Sequence, residues 1–175
     1  MTDGRRGCME AIRVFTLVAA TITTGLSAGL FYAYACSVMP GLRTTDDLTF
    51  IQVMQRINVA ILNGWFLLGF LGALVFTALA VALHLPADGH RVLPATLGAL
   101  VCYSGSLAVT RIVNIPLNNA LAAAGDPERI ADPVRVRGRF EARWVRWNTA
   151  RALLCTAALG FLCWALVLHC HTTAN

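Results

Sequence analysis

Residues 57–87 read INVAILNGWFLLGFLGALVFTALAVALHLPA, 31 consecutive positions without Asp, Glu, Lys or Arg. Three further runs share that property: 14–42 with 29 residues, 92–110 with 19 and 152–175 with 24. Together the four runs hold 103 of the 175 residues, so all 23 charged side chains are confined to the other 72. A bilayer's hydrocarbon core takes about 20 mostly apolar residues as helix, and each run meets that length within its margins. The expected fold is all-α, a four-transmembrane-helix bundle forming one membrane domain over residues 1–175. A soluble domain, a disordered chain and a disulfide-stapled secreted module are excluded by the same arithmetic. Membrane barrels are excluded too, because their strands show ~10-residue alternating segments rather than long unbroken apolar runs. Arg5, Arg6 and Arg13 ahead of an apolar run imitate a signal peptide. Residues 14–33 are already 20 long, however, and a signal core has roughly 7 to 15.

Helix boundaries follow from local chemistry. The first helix is expected over about 12–38, ended by Met39-Pro40-Gly41. Thr44 or Thr45 before Asp46-Asp47 reads as the cap of a second helix over 46–85. Its opening positions Phe50, Val53, Met54 and Ile57 suggest an amphipathic turn or two at the interface. Pro86-Ala87-Asp88-Gly89-His90 reads as a short turn. A third helix is expected over 93–114, because Ile115 precedes Pro116 and is pushed out of the α region. Residues 115–132 then form an extramembrane connection, and Asp132-Pro133 starts a fourth helix over 133–169 that enters the bilayer near Trp147. Gly25 and Gly29, with Gly64, Gly69 and Gly72, are candidates for close contacts inside the bundle.

All 14 basic residues are arginine. Four of them, Arg5, Arg6, Arg13 and Arg91, belong to the side that holds both termini; ten belong to the side of the 1–2 and 3–4 connections. The excess of basic residues places those two connections in the cytoplasm, in an integral protein expected in the plasma membrane. The run Arg135, Arg137, Arg139, Arg143 and Arg146 abuts a spanning helix. Attraction to anionic lipid, about 1 kcal/mol per basic residue, accounts for it without nucleic acid. The lipid bilayer is therefore the expected partner, and the oligomeric state is left open.

At 100° per residue, Gln52, Arg56 and Asn63 form a stripe on the second helix with Gln55 beside it. Ser104, Arg111 and Asn114 share a face of the third, and Glu141, Trp144, Asn148, Arg151 and Cys155 a face of the fourth. Amide and guanidinium groups at one depth near one membrane face describe a polar pocket, since such residues are expensive in lipid and turn to the bundle interior. Arg143, Arg146 and Trp147 read instead as an interfacial belt. All four histidines fall at the opposite side, where His84, His90, His169, His171, Cys8 and Cys170 are candidates for a second cluster. No spacing there matches a structural zinc pattern, so no metal is expected near His84 and His169. Cys36, Cys102, Cys155 and Cys163 lie within helices and read as small apolar packing residues.

Four patches in order carry a resemblance: Val38-Met39-Pro40-Gly41-Leu42, Met54-Gln55-Arg56-Ile57-Asn58, Asn114-Ile115-Pro116-Leu117-Asn118, and Trp144-Val145-Arg146-Trp147-Asn148 with Arg151. They resemble the signature patches of the DUF1772, or anthrone oxygenase-like, membrane proteins. The resemblance implies a four-helix membrane fold. For characterised members it implies oxidation of a polyketide anthrone to an anthraquinone by O2, as co-substrate, without an evident cofactor. Such chemistry needs an apolar slot, a proton acceptor and fixed donors for a developing oxyanion. Arg111 and Arg151 are candidates for the positive field, and Asn114, Asn118, Asn148, Gln55 and Asn58 for binding substrate oxygens. Tyr32, Tyr34, Trp65 and Phe66, with Trp144 and Trp147, are candidates for the slot around a small aromatic substrate. Glu141 is the one carboxylate on a favourable face and hence the candidate base; water or a substrate phenolate is the substitute. The alternative function is a non-enzymatic bundle that binds lipid or a small hydrophobic ligand, or scaffolds a partner.

Overall fold

The computed structural model describes residues 3–85 and 90–173. The chain forms α1 (Asp3–Ala33), α2 (Met39–Arg43), α3 (Asp47–Ala60), α4 (Gly64–Leu83), α5 (Leu93–Val109), α6 (Ile115–Ala123) and α7 (Pro133–Thr173). Wide π turns at Tyr34–Val38 and Thr110–Asn114 join α1 to α2 and α5 to α6, and a short 3₁₀ turn lies at Pro127–Arg129. No strand occurs among the described residues. Four helical stretches are long and apolar enough to cross a membrane: Gly7–Arg43, Gly64–Leu83, Leu93–Ala123 and Pro133–His171. The all-α bundle and its integral membrane character are thus as the charge-free runs imply. Most of the expected turn at 86–90 lies outside the described residues.

The bundle runs up and down, with α1 against α4 and α7, and α5 against α7 and α4. Its seam is made of alanines, Ala20, Ala28, Ala73, Ala99 and Ala158, closed by Phe31, Phe70, Tyr103 and Leu162. Small side chains let helix backbones approach in lipid, where no hydrophobic drive holds helices together. The glycines contribute less than their spacing suggests. A Cβ on Gly25 would meet Leu159 at 3.7 Å, but at Gly29, Gly64 and Gly69 it would point into open space.

Three boundaries differ from the sequence expectation. The second helix is broken at 61–63, because Asn63 accepts from Phe66 N (3.0 Å) and donates to the Ala60 carbonyl (2.9 Å). An asparagine side chain that bonds its own backbone competes with the helix ladder and restarts it as a cap. The first and third helices do not stop at their prolines, for a shared reason. A proline ring clashes with the carbonyl four residues earlier. For Pro40 that residue is Cys36 and for Pro116 it is Ile112, and each lies inside a π turn. The widened turn accommodates the ring, and the helix continues. Residues 115–132 are therefore largely helical, and Gly125, at φ 83°, terminates α6 in the left-handed conformation that favours glycine.

Outside the bundle, α3 packs on α6 and α7 and builds a second core from Phe50, Ile51 and Met54 with Met39, Leu121, Phe140 and Trp144. It is pinned by Arg137, which pairs with Glu141 (2.7 Å) and Asp47 (3.0 Å) and donates to the carbonyls of Thr45 (2.8 Å) and Arg43 (3.1 Å). Gln55 adds bonds to the carbonyls of Leu121 (2.9 Å) and Gly125 (3.0 Å). Charge-assisted bonds are each worth about 1.5–3 kcal/mol where water is excluded. Replacing Arg137 by Ala should therefore release α3 locally, by about 2 kcal/mol. Backbone amide exchange in α3 should rise while α5 stays protected, and Arg43→Ala should do far less, because its side chain is 68% exposed. Equal exchange in α3 of the Arg137→Ala variant and the parent would refute the pinning role.

Candidate functional site

On α7 the residues Trp144, Asn148, Arg151 and Cys155 recur at i, i+4, i+7 and i+11, and all four are buried. Because α7 is one unbroken helix, its polar stripe holds its phase and faces the bundle. Asn148 donates to the Phe31 carbonyl (3.0 Å) and accepts from Arg151 Nη2 (2.9 Å), so one amide links α1 to the guanidinium. Arg151 Nη1 reaches Thr110 Oγ1 at 3.4 Å, at the start of the second π turn. The guanidinium stacks over Phe31 (4.2 Å to the ring centroid) and lies 5.5 Å from the Trp144 ring. Below it, the Cys155 thiol donates to Ser106 Oγ at 3.2 Å.

Arg151 is 6% exposed, and no carboxylate among the described residues pairs with it. An arginine costs about 2.5–3.5 kcal/mol on the insertion scale at the centre of a membrane helix and less toward its end, where Arg151 lies. One interhelical bond to Thr110 at about 0.6 kcal/mol, the bond to Asn148 within α7, and two ring contacts at about 0.5–2 kcal/mol each offset much of this. Its charge remains without a counter-ion, and Nε has no hydrogen-bond partner among the described residues. Asn114 is equally unfinished: it is 1% exposed, and neither its amide nitrogen nor its oxygen has a partner among the described residues. Buried polar atoms are almost always satisfied, so such a set marks a place for a polar ligand or water.

Around this centre the sequence candidates divide. Asn118 accepts from the Trp144 indole nitrogen (2.9 Å), and Tyr34 lies against the Trp144 ring at 5.6 Å. Asn58 is half-buried on α3 with its Nδ2 unpaired, while Gln55 is engaged in the α6 contacts described above. Trp147 is half-buried with Arg146 over its ring at 5.8 Å. Others do not join. Tyr32 and Trp65 are 62% and 86% exposed, directed to the lipid side of α1 and α4, and the aromatic rings beside Arg151 are those of Phe31 and Trp144, with Tyr34 against Trp144. Arg111 and Ser104 are exposed; Asn114 parts from them because each residue of a π turn advances the helix by fewer degrees. Glu141 is bound by Arg137 and Arg43, ten residues or about 15 Å along the helix from Arg151. Glu141 is thereby committed to the contacts that dock α3 rather than placed beside Arg151. Thr110, Phe31 and Ser106 escaped the sequence reading, although Thr110, four residues before Asn114, shares its face on an ordinary helix.

At the other end, the His84 and His169 rings meet at 5.6 Å, His169 lies 3.3 Å from Glu10, and Glu10 pairs with Arg13 at 2.9 Å. His90 and Cys8 are exposed elsewhere. Among the described residues no group of three His, Cys, Asp or Glu side chains is placed to hold a metal ion.

A family model described as anthrone oxygenase matches residues 62–161, more than half of the chain. The chain belongs to the anthrone oxygenase family. The matched region holds Thr110, Asn114, Asn118, Trp144, Asn148 and Arg151, so the buried polar centre lies largely inside it, while Phe31 and Tyr34 lie outside. No curated protein and no solved structure matches the chain.

Asn148→Ala should leave both the Phe31 carbonyl and the guanidinium short of a partner, lowering stability by about 1–2 kcal/mol. A drop in the thermal midpoint in detergent is the expected readout. An unchanged midpoint would mean that the amide bridge does not hold α1 to α7.

Proposed function

We propose that this protein is a membrane-embedded oxygenase that converts the methylene of an anthrone-like aromatic, of polyketide type, into a carbonyl with O2 as co-substrate. The observation that carries this reading is the buried Arg151 guanidinium without a carboxylate. A fixed cation lacking a protein counter-ion favours a ligand that is, or becomes, an anion. Loss of a proton from the methylene, which is flanked by two aryl rings, delocalises negative charge onto the substrate's carbonyl oxygen. Arg151 is the partner for that oxyanion, Asn148 orients the guanidinium, and Asn114 offers its unpaired amide to a second substrate oxygen. The electron-rich anion then reduces O2 directly. A C–O bond forms to give a hydroperoxide, which loses water to leave the new carbonyl; one oxygen atom enters the quinone and the other leaves as water. Because the substrate anion supplies the electrons, the reaction needs no bound redox group. A substrate phenolate takes the proton in place of Glu141 and returns it to the peroxide oxygen.

Anthrone-dependent oxygen uptake by purified protein is the direct test. Arg151→Ala and Asn148→Ala should lower kcat by about 100-fold or more, the usual effect of removing an oxyanion donor. Arg111→Ala and Glu141→Ala should keep near-parental rates. Full turnover by a folded Arg151→Ala variant sinks the mechanism, and absence of any uptake in the parent favours a ligand-binding bundle.

The excess of basic residues supports cytoplasmic placement of the α2–α3 and α6–α7 connections. A membrane-impermeant maleimide should then label the exposed Cys8 in intact cells. Labelling of Cys8 only after lysis would reverse the topology.

A further inference from the structure

A cavity of about 420 Å³ opens where α6 hands over to α7, away from the Arg151 centre. Its lining includes Arg129, Arg135 and Arg139, with Asp132 and the apolar Ile130 and Val136. The volume is that of a small-molecule site. Three guanidinium groups on one concave wall suit an oxyanion, because the planar fork of arginine matches phosphate and carboxylate geometry. Their charge is largely uncommitted. Arg129 makes one loose contact with Asp126 at 3.7 Å, both well exposed, and no carboxylate among the described residues pairs with Arg135 or Arg139. The one opposing group, Asp132, has its Oδ1 engaged by the backbone N–H of Arg135 at 3.0 Å, as the cap of α7. By contrast, Arg137 between them is fully engaged by Asp47 and Glu141, so the helix separates structural arginines from available ones.

Distance decides between a lipid headgroup and a soluble anion. Arg135, Arg139, Arg143 and Arg146 fall within an arc of roughly 80° on α7, an exposed basic stripe leading to Trp147 at the interface. The polar zone of a bilayer leaflet is about 5–8 Å deep. With Trp147 at the boundary, as the sequence pattern implies, Arg143 and Arg146 fall within that depth, but Arg139 is eight residues, about 12 Å of helix, beyond Trp147, and Arg135 a turn further. Lipid phosphate satisfies the lower part of the stripe and leaves the cavity unserved. We propose that the Arg129–Arg135–Arg139 cavity is a binding site for a small soluble molecule carrying a phosphate-type oxyanion, its apolar portion resting on Ile130 and Val136.

The test uses the full chain in phosphatidylcholine nanodiscs and calorimetric titration with inorganic pyrophosphate. Saturable binding is expected, weakened about tenfold or more in Arg135→Ala/Arg139→Ala and retained in Arg143→Ala/Arg146→Ala. Both pairs are exposed, so neither replacement threatens the fold. Absent binding in the parent, or equal binding by Arg135→Ala/Arg139→Ala, overturns the site. A second arm repeats the titration in nanodiscs containing phosphatidylglycerol. Unchanged affinity supports a soluble ligand; competition by the lipid reassigns the cavity to a headgroup and overturns the proposal. Oxygen uptake is not the readout, so the outcome is independent of the activity proposed above.

Discussion

The bundle is organised around a cation it cannot neutralise. Arg151 sits in the second turn inside the bilayer region of α7, and three elements are shaped by the need to solvate it. Helix α7 supplies Asn148 three residues earlier, α1 supplies the Phe31 ring and carbonyl, the second π turn supplies Thr110, and Trp144 covers the group from above. None of these is charged. Neutral dipoles and ring faces lower the cost of burial while leaving the field of the guanidinium available to a ligand, which a carboxylate would cancel. The same logic explains why Asn114 is tolerated with both amide atoms unpaired. A site kept ready for a polar guest gives up some stability to keep its donors free.

The two π turns make that arrangement compatible with the prolines. Pro40 and Pro116 each follow a widened turn that contains the residue whose carbonyl the ring would strike. The turns flank the polar centre: Phe31 and Tyr34 precede or begin the first, Thr110 and Asn114 begin and end the second. The π turn ahead of each proline thus has two linked effects. It permits the helix to run on into the cap layer of α2 and α6, and the accompanying change of phase turns Asn114 inward while Arg111 stays outside. Helix irregularities of this kind concentrate at functional sites because they re-aim side chains without ending the element.

What was legible in the sequence follows from these features. The charge-free runs fix four spans because desolvating an ionised group in lipid outweighs any local preference. The stripe of Trp144, Asn148, Arg151 and Cys155 was legible because α7 is a regular helix and 3.6-residue arithmetic holds along it. The same arithmetic failed for Arg111 with Asn114, where the period itself changes. It also failed for Tyr32 and Trp65. Helices apolar on every side carry no phase signal, since lipid and bundle interior reward the same residues. Glu141 misled for a different reason: its partners Arg43 and Arg137 lie on two separate elements, and only the docked cap brings both to it. The break at Asn63 was visible as an Asn-Gly pair yet was outweighed by the length of the apolar run around it.

The exclusive use of arginine has a physical basis in these contacts. Arg137 stacks over Phe50 at 4.5 Å while bonding two carboxylates, Arg151 stacks over Phe31 while bonding two neutral oxygens, and Arg146 covers Trp147. A guanidinium can place a face on a ring and its edge on acceptors at the same time, because it is planar and weakly hydrated. A lysine ammonium is a compact, strongly hydrated point that would satisfy one of these demands and lose the other. At Arg151 the difference is greatest, because the group must stay charged in an apolar setting where an ammonium sheds its proton readily. The residue type that makes burial tolerable is therefore also the one that holds its charge there, which is what the proposed anionic intermediate calls for.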